Sequence, residues 1–233
     1  MERVVHRLFF TFIVALALPA QSARNVASAA DDASGQEITR ALQDALSVSA
    51  QASIRRLGRE DGFLRNERVH IPLPNSLARA ASALRHVGMV RYPAELETNL
   101  NRAAEAAVPE LRVLFVDAIS HITLADARAA VSAGDETAAQ YFRRHTYSAM
   151  AIRFLPAVRA ATARLRLADS YQQVAGRAAK AGLLRSDDAN LDDYITAKAL
   201  DAVYATMAEE ERAMRTYPMQ QTQKALRRVS GAR

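Results

Sequence analysis

The stretch LETNLNRAAEAAVPELRVLFVDAISHI, residues 96–122, decides the fold. Leu96, Leu100, Ala103, Ala104 and Ala107 recur at every third or fourth position, which places them on one face of an α-helix. Pro109 then lacks an amide hydrogen and crowds the preceding turn, so it either kinks one long helix or opens a second. The second helical set is Leu111, Leu114, Phe115, Ala118, Ile119 and Ile122. Two amphipathic helices meeting at a proline need other helices to cover them.

Upstream, Ile38, Leu42, Ala45, Leu46, Ser49 and Ile54 keep helical spacing as far as Leu57, and Gly58 and Gly62 bracket a turn at Glu60-Asp61. Residues 68–74, Arg-Val-His-Ile-Pro-Leu-Pro, alternate locally. Pro72 and Pro74 lack the amides a central strand requires, so this segment is a buried extended crossing or one short ribbon strand. Asn75 or Ser76 caps a helix that Gly88 terminates, and the next begins near Pro93.

Downstream, Thr123 with Asp126 has the spacing of a capping pair for a short helix to Ser132. Asp135 can cap a long helix from Glu136, with Pro156 marking a kink or restart. Further helices fit 169–181, 191–216 and 220–230, with Gly182 and Pro218 as stops. The expected fold is all-α: a compact multi-helix bundle with kinked helices and at most one short extended segment. Alanine is frequent on the apolar faces, so the helix axes must approach closely to reach normal packing density. No internal repeat or sustained heptad points to a solenoid or coiled coil.

Arg3 and Arg7 precede the apolar run Leu8–Leu18, and Pro19-Ala20-Gln21-Ser22-Ala23 supplies small residues for cleavage. That is the layout of a secretory signal, and the run is shorter than the roughly 20 residues a spanning helix needs. The organisation expected is a signal peptide at 1–22, a flexible lead-in at 23–36, one helical domain at 37–229 and a basic tail end at 230–233. Export to the periplasm follows, with cleavage between Ala20 and Ala23 and no transmembrane segment in the mature chain. The chain has no cysteine, which an oxidising compartment permits in a domain large enough to bury its own core.

The formal charge is +6, yet Lys224, Arg227, Arg228 and Arg233 crowd the C-terminus and leave the body near neutral. A balanced body argues against specific nucleic-acid binding, which concentrates charge along a face. Weak, salt-sensitive polyanion binding through the tail is one alternative function.

The polar positions that stand out are Asn101, Arg102, Glu105, Asp117, His121 and Arg144. Asn101, Arg102 and Glu105 share one side of their helix, where they can form a ligand pocket or an ion pair that organises packing. Asp117 and His121 stand four apart, and a carboxylate can orient an imidazole for acid–base work. No Gly-x-Ser-x-Gly elbow accompanies them, so a hydrolase with an atypical carboxylate–His site is a second alternative. Arg144 can meet an anion beside Tyr141 and Phe142, although no glycine-rich nest accompanies it. Asp187, Asp188, Asn190, Asp192 and Asp193 are rich in oxygen, but position twelve of a calcium loop begun at Asp187 would be Lys198. Helix-start carboxylates explain them better. The histidines have no His-x-x-x-His spacing, so neither a metal nor a cofactor is expected. Glu209-Glu210-Glu211 reads as a solvent-facing run.

Several ordered segments carry a family likeness. They are Asp61-Gly62-Phe63-Leu64, Val69-His70-Ile71-Pro72-Leu73-Pro74, Asn101-Arg102-Ala103-Ala104-Glu105-Ala106-Ala107-Val108-Pro109 and Phe115-Val116-Asp117-Ala118-Ile119. Leu124-Ala125-Asp126-Ala127, Ala138-Ala139-Gln140-Tyr141-Phe142-Arg143, Asn190-Leu191-Asp192-Asp193-Tyr194 and Ala208-Glu209-Glu210-Glu211 continue the order. Together they resemble the exported bacterial domain-of-unknown-function family 4197, over roughly residues 37–229. The resemblance implies a mostly helical, exported Gram-negative protein and brings no catalytic residues with it. Where relatives have a double glycine, this chain has Ser132-Ala133-Gly134. The leading expectation is a non-catalytic binding or structural role in the cell envelope, with an envelope protein or a small ligand as partner.

Overall fold

A computed structural model describes residues 20–132, 137–180 and 190–230. Its helices are α1 (Ala20–Leu57), α2 (Asn75–His86), α3 (Arg91–Ala107), α4 (Leu111–Ser120), α5 (Leu124–Ser132), α6 (Ala138–Arg164), α7 (Leu167–Lys180) and α8 (Leu191–Ser230). No strand occurs among the described residues, so the fold is an all-helical bundle. Contacts divide the chain into Met1–Glu37 and Ile38–Arg233, and the hydrophobic core belongs to the second unit. The signal segment lies outside the described residues as far as residue 19.

Helix α3 is central: it packs on α6, α7 and α8, while α6 and α8 also pair extensively. The reason is legible in its face. Leu96, Leu100, Ala103, Ala104 and Ala107 are all fully buried, and the alanines keep the neighbouring axes close. Pro109 neither kinks a continuous helix nor opens α4 directly. It sits in a single 3-10 turn, Val108–Glu110, that joins α3 to α4. Phe115 of α4, Phe142 of α6 and Tyr204 of α8 form an aromatic cluster, with the Phe115 and Tyr204 rings edge to face at 5.4 Å. The Tyr204 hydroxyl pairs with Thr146 Oγ1 at 2.7 Å, and burial pushes its pKa up to about 12.

Several boundaries differ from expectation. Stretch 24–36 is helical in its backbone, a state that Ala27, Ala29, Ala30 and Ala33 favour by propensity despite their polar neighbours. The cap of α2 is Pro74, without a side-chain bond, rather than Asn75 or Ser76. Its far end closes as foreseen: Gly88 has φ +81°, its N–H donates to Arg85 O, and Met89 N–H donates to Leu84 O. Asp135 lies outside the described residues. The cap of α6 is Thr137, in a reciprocal capping box with Gln140. Pro156 falls inside α6, and α8 continues through Pro218. One proline removes one backbone bond, and the long flanking helices hold the helical path across it.

The connection from α1 to α2, residues 58–74, has neither helix nor strand. Asp61 takes the left-handed φ of +62°, while Gly62 is needed for space, because a Cβ there would meet Leu57 O at 2.3 Å. Phe63, Ile71 and Leu73 from this connection are buried in the core.

Candidate functional site

Backbone polar groups in an irregular buried segment need partners. Helix α3 supplies them through Glu97, Asn101 and Glu105, spaced four apart along one side. Asn101 is fully buried, accepts from Ile71 N at 2.8 Å and donates to Ile71 O at 2.9 Å and to Glu97 O at 2.8 Å. Glu105 Oε1 accepts from both Phe63 N and Leu64 N at 3.0 Å, and its Oε2 receives Arg102 at 2.7 Å. Arg102 also holds Asp61 at 2.8 Å, and Glu105 first, with Asp61, raises the guanidinium pKa. Glu97 receives Arg85 at 3.2 Å and contacts His70 at 2.9 Å, whose other ring nitrogen meets Leu64 O at 3.0 Å. This side of α3 is therefore filled by the protein's own backbone. Arg102 closes an ion-pair chain with Glu105 and Asp61.

A different place is open. A groove of about 350 Å³ lies among α1, α4, α5 and α6. Leu42, Leu46, Ala118, Ile122 and Phe142 supply its apolar surface, and Asp117, His121, Asp126, Tyr141, His145 and Arg153 supply its polar one. Arg153 donates to Asp117 Oδ2 at 2.6 Å and holds that carboxyl below the usual carboxylate range. Asp126 accepts from the Thr123 hydroxyl at 2.6 Å and the Thr123 amide at 2.9 Å, which lower its pKa in that order. Tyr141 donates to the other oxygen of Asp126 at 3.3 Å. Burial raises the Tyr141 pKa, and Asp126 adds to the effect. The lining is mixed, with polar side chains at least as numerous as apolar ones, in a space the size of a small-molecule site.

The six positions singled out from sequence therefore separate. Asn101, Arg102 and Glu105 come together on α3 against the 58–74 connection. Asp117 and His121 line the groove, and Arg144 is exposed with its guanidinium 5.5 Å from the centre of the Tyr141 ring. Asp117 and His121 do not form a proton relay. His121 Nδ1 meets the Asp117 backbone carbonyl at 2.7 Å, and the carboxylate is 3.8 Å from that same nitrogen. Ser120 Oγ also approaches Nδ1, at 3.3 Å. A relay needs the acid and the hydroxyl on opposite ring nitrogens. Glu105 and His70 have no contact with each other and both serve the connection.

Sequence reasoning passed over Glu97, which continues the four-residue spacing of Asn101 and Glu105 and was visible in that sense. Arg153 had no such signal, because its partner Asp117 is 36 positions away. The acidic run of α8 is a correction. Glu209 pairs with Arg68 at 3.1 Å, and Glu211 is buried, accepting from Ala138 N and Ala139 N at 3.1 Å. It caps α6 from a distance, where the helix dipole favours a carboxylate. Asp193 and Asn190 cap α8, and Asp192 accepts from Thr162 at 2.8 Å. No group of three or more metal-capable side chains occurs among the described residues. No described helix is long and apolar enough to cross a membrane.

An all-helical bundle with a clamped α1–α2 connection and a groove at the α4–α6 junction is the class these features define. The chain belongs to the family described as Protein of unknown function (DUF4197), whose model matches residues 32–231. No curated protein and no solved structure matches it significantly.

Proposed function

We infer that this chain is an exported binding protein that takes a small amphipathic molecule into the groove among α1, α4, α5 and α6, in the periplasm of a Gram-negative bacterium. The observation that carries the reading is the groove: about 350 Å³, apolar along Leu42, Leu46, Ile122 and Phe142, with polar groups at Asp117, His121, His145 and Arg153. Its volume is within the range of small-ligand pockets, about 300–1,000 Å³. The secretory layout of residues 1–23 supports the address. The ion pair of Asp117 with Arg153 and the hydrogen bonds on Asp126 favour a holding role, since both carboxylates already have partners within the protein.

Purification of the native protein from a periplasmic fraction, followed by mass spectrometry after denaturation, tests both parts. A mature N-terminus between Ala20 and Ala23 and a stoichiometric small molecule are expected. A chain retained in the cytoplasm with residues 1–19 intact would overturn the address. An empty protein whose Leu46→Arg variant has the same bound content and the same partners would overturn the groove.

A further inference from the structure

The two imidazoles of the groove are held in one tautomer by the helices that carry them. His121 Nδ1 is 2.7 Å from Asp117 O and His145 Nδ1 is 2.9 Å from Tyr141 O, each the backbone carbonyl one turn earlier. A carbonyl only accepts, so each Nδ1 carries a hydrogen, and Nε2 is the ring nitrogen that has a lone pair whenever the ring is neutral. Neither Nε2 has a hydrogen-bond partner among the described residues. With both rings neutral, the groove lining offers two acceptors that the described residues do not use.

Charge points the same way. The lining contains Asp117 and Asp126 against one guanidinium, Arg153, which lies 2.6 Å from Asp117. Arg144 stacks on the Tyr141 ring but does not line the groove. Resting on the groove reading above, we propose that the ligand is an amphipathic organic cation, a free small molecule in which an ammonium group is attached to an apolar chain. The chain lies along Leu42, Leu46, Ile122 and Phe142, and the ammonium N–H groups donate to His121 Nε2 and His145 Nε2, with Asp117 and Asp126 as counter-charges. An anionic amphiphile of the same shape meets two carboxylates and two lone pairs instead.

Isothermal titration of the purified protein with n-octylammonium and with n-octanoate separates the possibilities. Octylammonium binding at one saturable site, roughly fivefold or more tighter than octanoate, is the expected result, the size of one unit charge acting near 4 Å in a solvated site. Arg153→Gln removes the lining guanidinium and strengthens octylammonium binding, a gain that misfolding does not produce. Asp117→Asn weakens it, and the paired change His121→Leu with His145→Leu weakens it further, with unchanged circular dichroism. Octanoate binding as tightly as octylammonium, or better, overturns the cation assignment and leaves the groove reading intact. If neither amphiphile binds, both the assignment and the groove reading fall.

Discussion

Asn101 and Ile71 exchange a reciprocal pair of hydrogen bonds: Ile71 N donates to Asn101 Oδ1 at 2.8 Å, and Asn101 Nδ2 donates to Ile71 O at 2.9 Å. A neighbouring strand would offer the same two groups to an extended residue. Here one side-chain amide does so, and the extended segment needs no second strand. Asn101→Ala strands a buried N–H and a buried C=O, and the expected loss is about 2–4 kcal/mol. Asn101→Asp keeps the acceptor, lacks the donor and should also be destabilised. Urea unfolding of both variants reads this directly; a loss within experimental error for Asn101→Ala would remove the clamp from the account.

Arg102 and Glu105 form a coupled pair with unequal shares. Glu105 retains the Phe63 and Leu64 amides when Arg102 is removed, so Arg102→Ala is expected to cost about 1–3 kcal/mol. Glu105→Ala releases two buried amides and the guanidinium together and should cost about 3–5 kcal/mol. The double variant is expected to lose less than the sum, because both single changes break one contact. Additive losses below roughly 1 kcal/mol in a denaturant cycle would show an exposed, inconsequential pair.

Glu211 caps α6 from α8. Replacing it with alanine leaves Ala138 N and Ala139 N without their carboxylate, and a loss of at least about 1–2 kcal/mol is expected, the scale of a helix cap. Glu209→Ala, two residues earlier and on the other face of α8, should change stability far less, since the Glu209 contacts with Arg56 and Arg68 are solvent-exposed pairs. Parallel thermal unfolding of the two variants distinguishes a cap from a general effect of acidic charge on α8.

Acid sensitivity is expected from Asp126. The Thr123 hydroxyl and amide hold its folded pKa below the ordinary carboxylate value of about 3.9. A depressed folded pKa means that its contribution is fully present above the unfolded pKa and is lost as pH falls through the folded one. Melting temperature should therefore drop on acidification below the ordinary carboxylate range, and Asp126→Asn should flatten that part of the curve. An unchanged acid limb in the variant would assign the drop to other carboxylates.

How far the residues themselves foretold this structure depends on distance along the chain. The buried face of α3 and the Gly88 closure of α2 follow from spacings of three to five positions, which a helix converts directly into contact. The α5 cap formed by Thr123 and Asp126 is equally local. Asn101 and Glu105 could be seen to share a side of α3, but not that this side faces a loop about 30 to 42 positions upstream. The Arg153 contact with Asp117 and the Glu211 cap on α6 are of the same non-local kind. A run of three glutamates looks solvated until the end of another helix is placed against it. Alanine blurred the ends of the long helices: its propensity carries α1 upstream through 24–36, and long flanking segments carry α8 past Pro218.

The clamp on residues 58–74 joins two parts of the molecule that would otherwise have separate fates. An irregular connection ordinarily exchanges its amide hydrogens with solvent quickly, because nothing but local fluctuation is needed to free them. The amides of Phe63, Leu64 and Ile71 are instead bonded to side chains of α3, a fully packed helix. Freeing them means breaking contacts with α3, so their exchange is expected to be slower than in an unclamped loop. In a hierarchy of partial unfolding, these three amides are expected to follow the helix that grips them more closely than the two helices the loop connects.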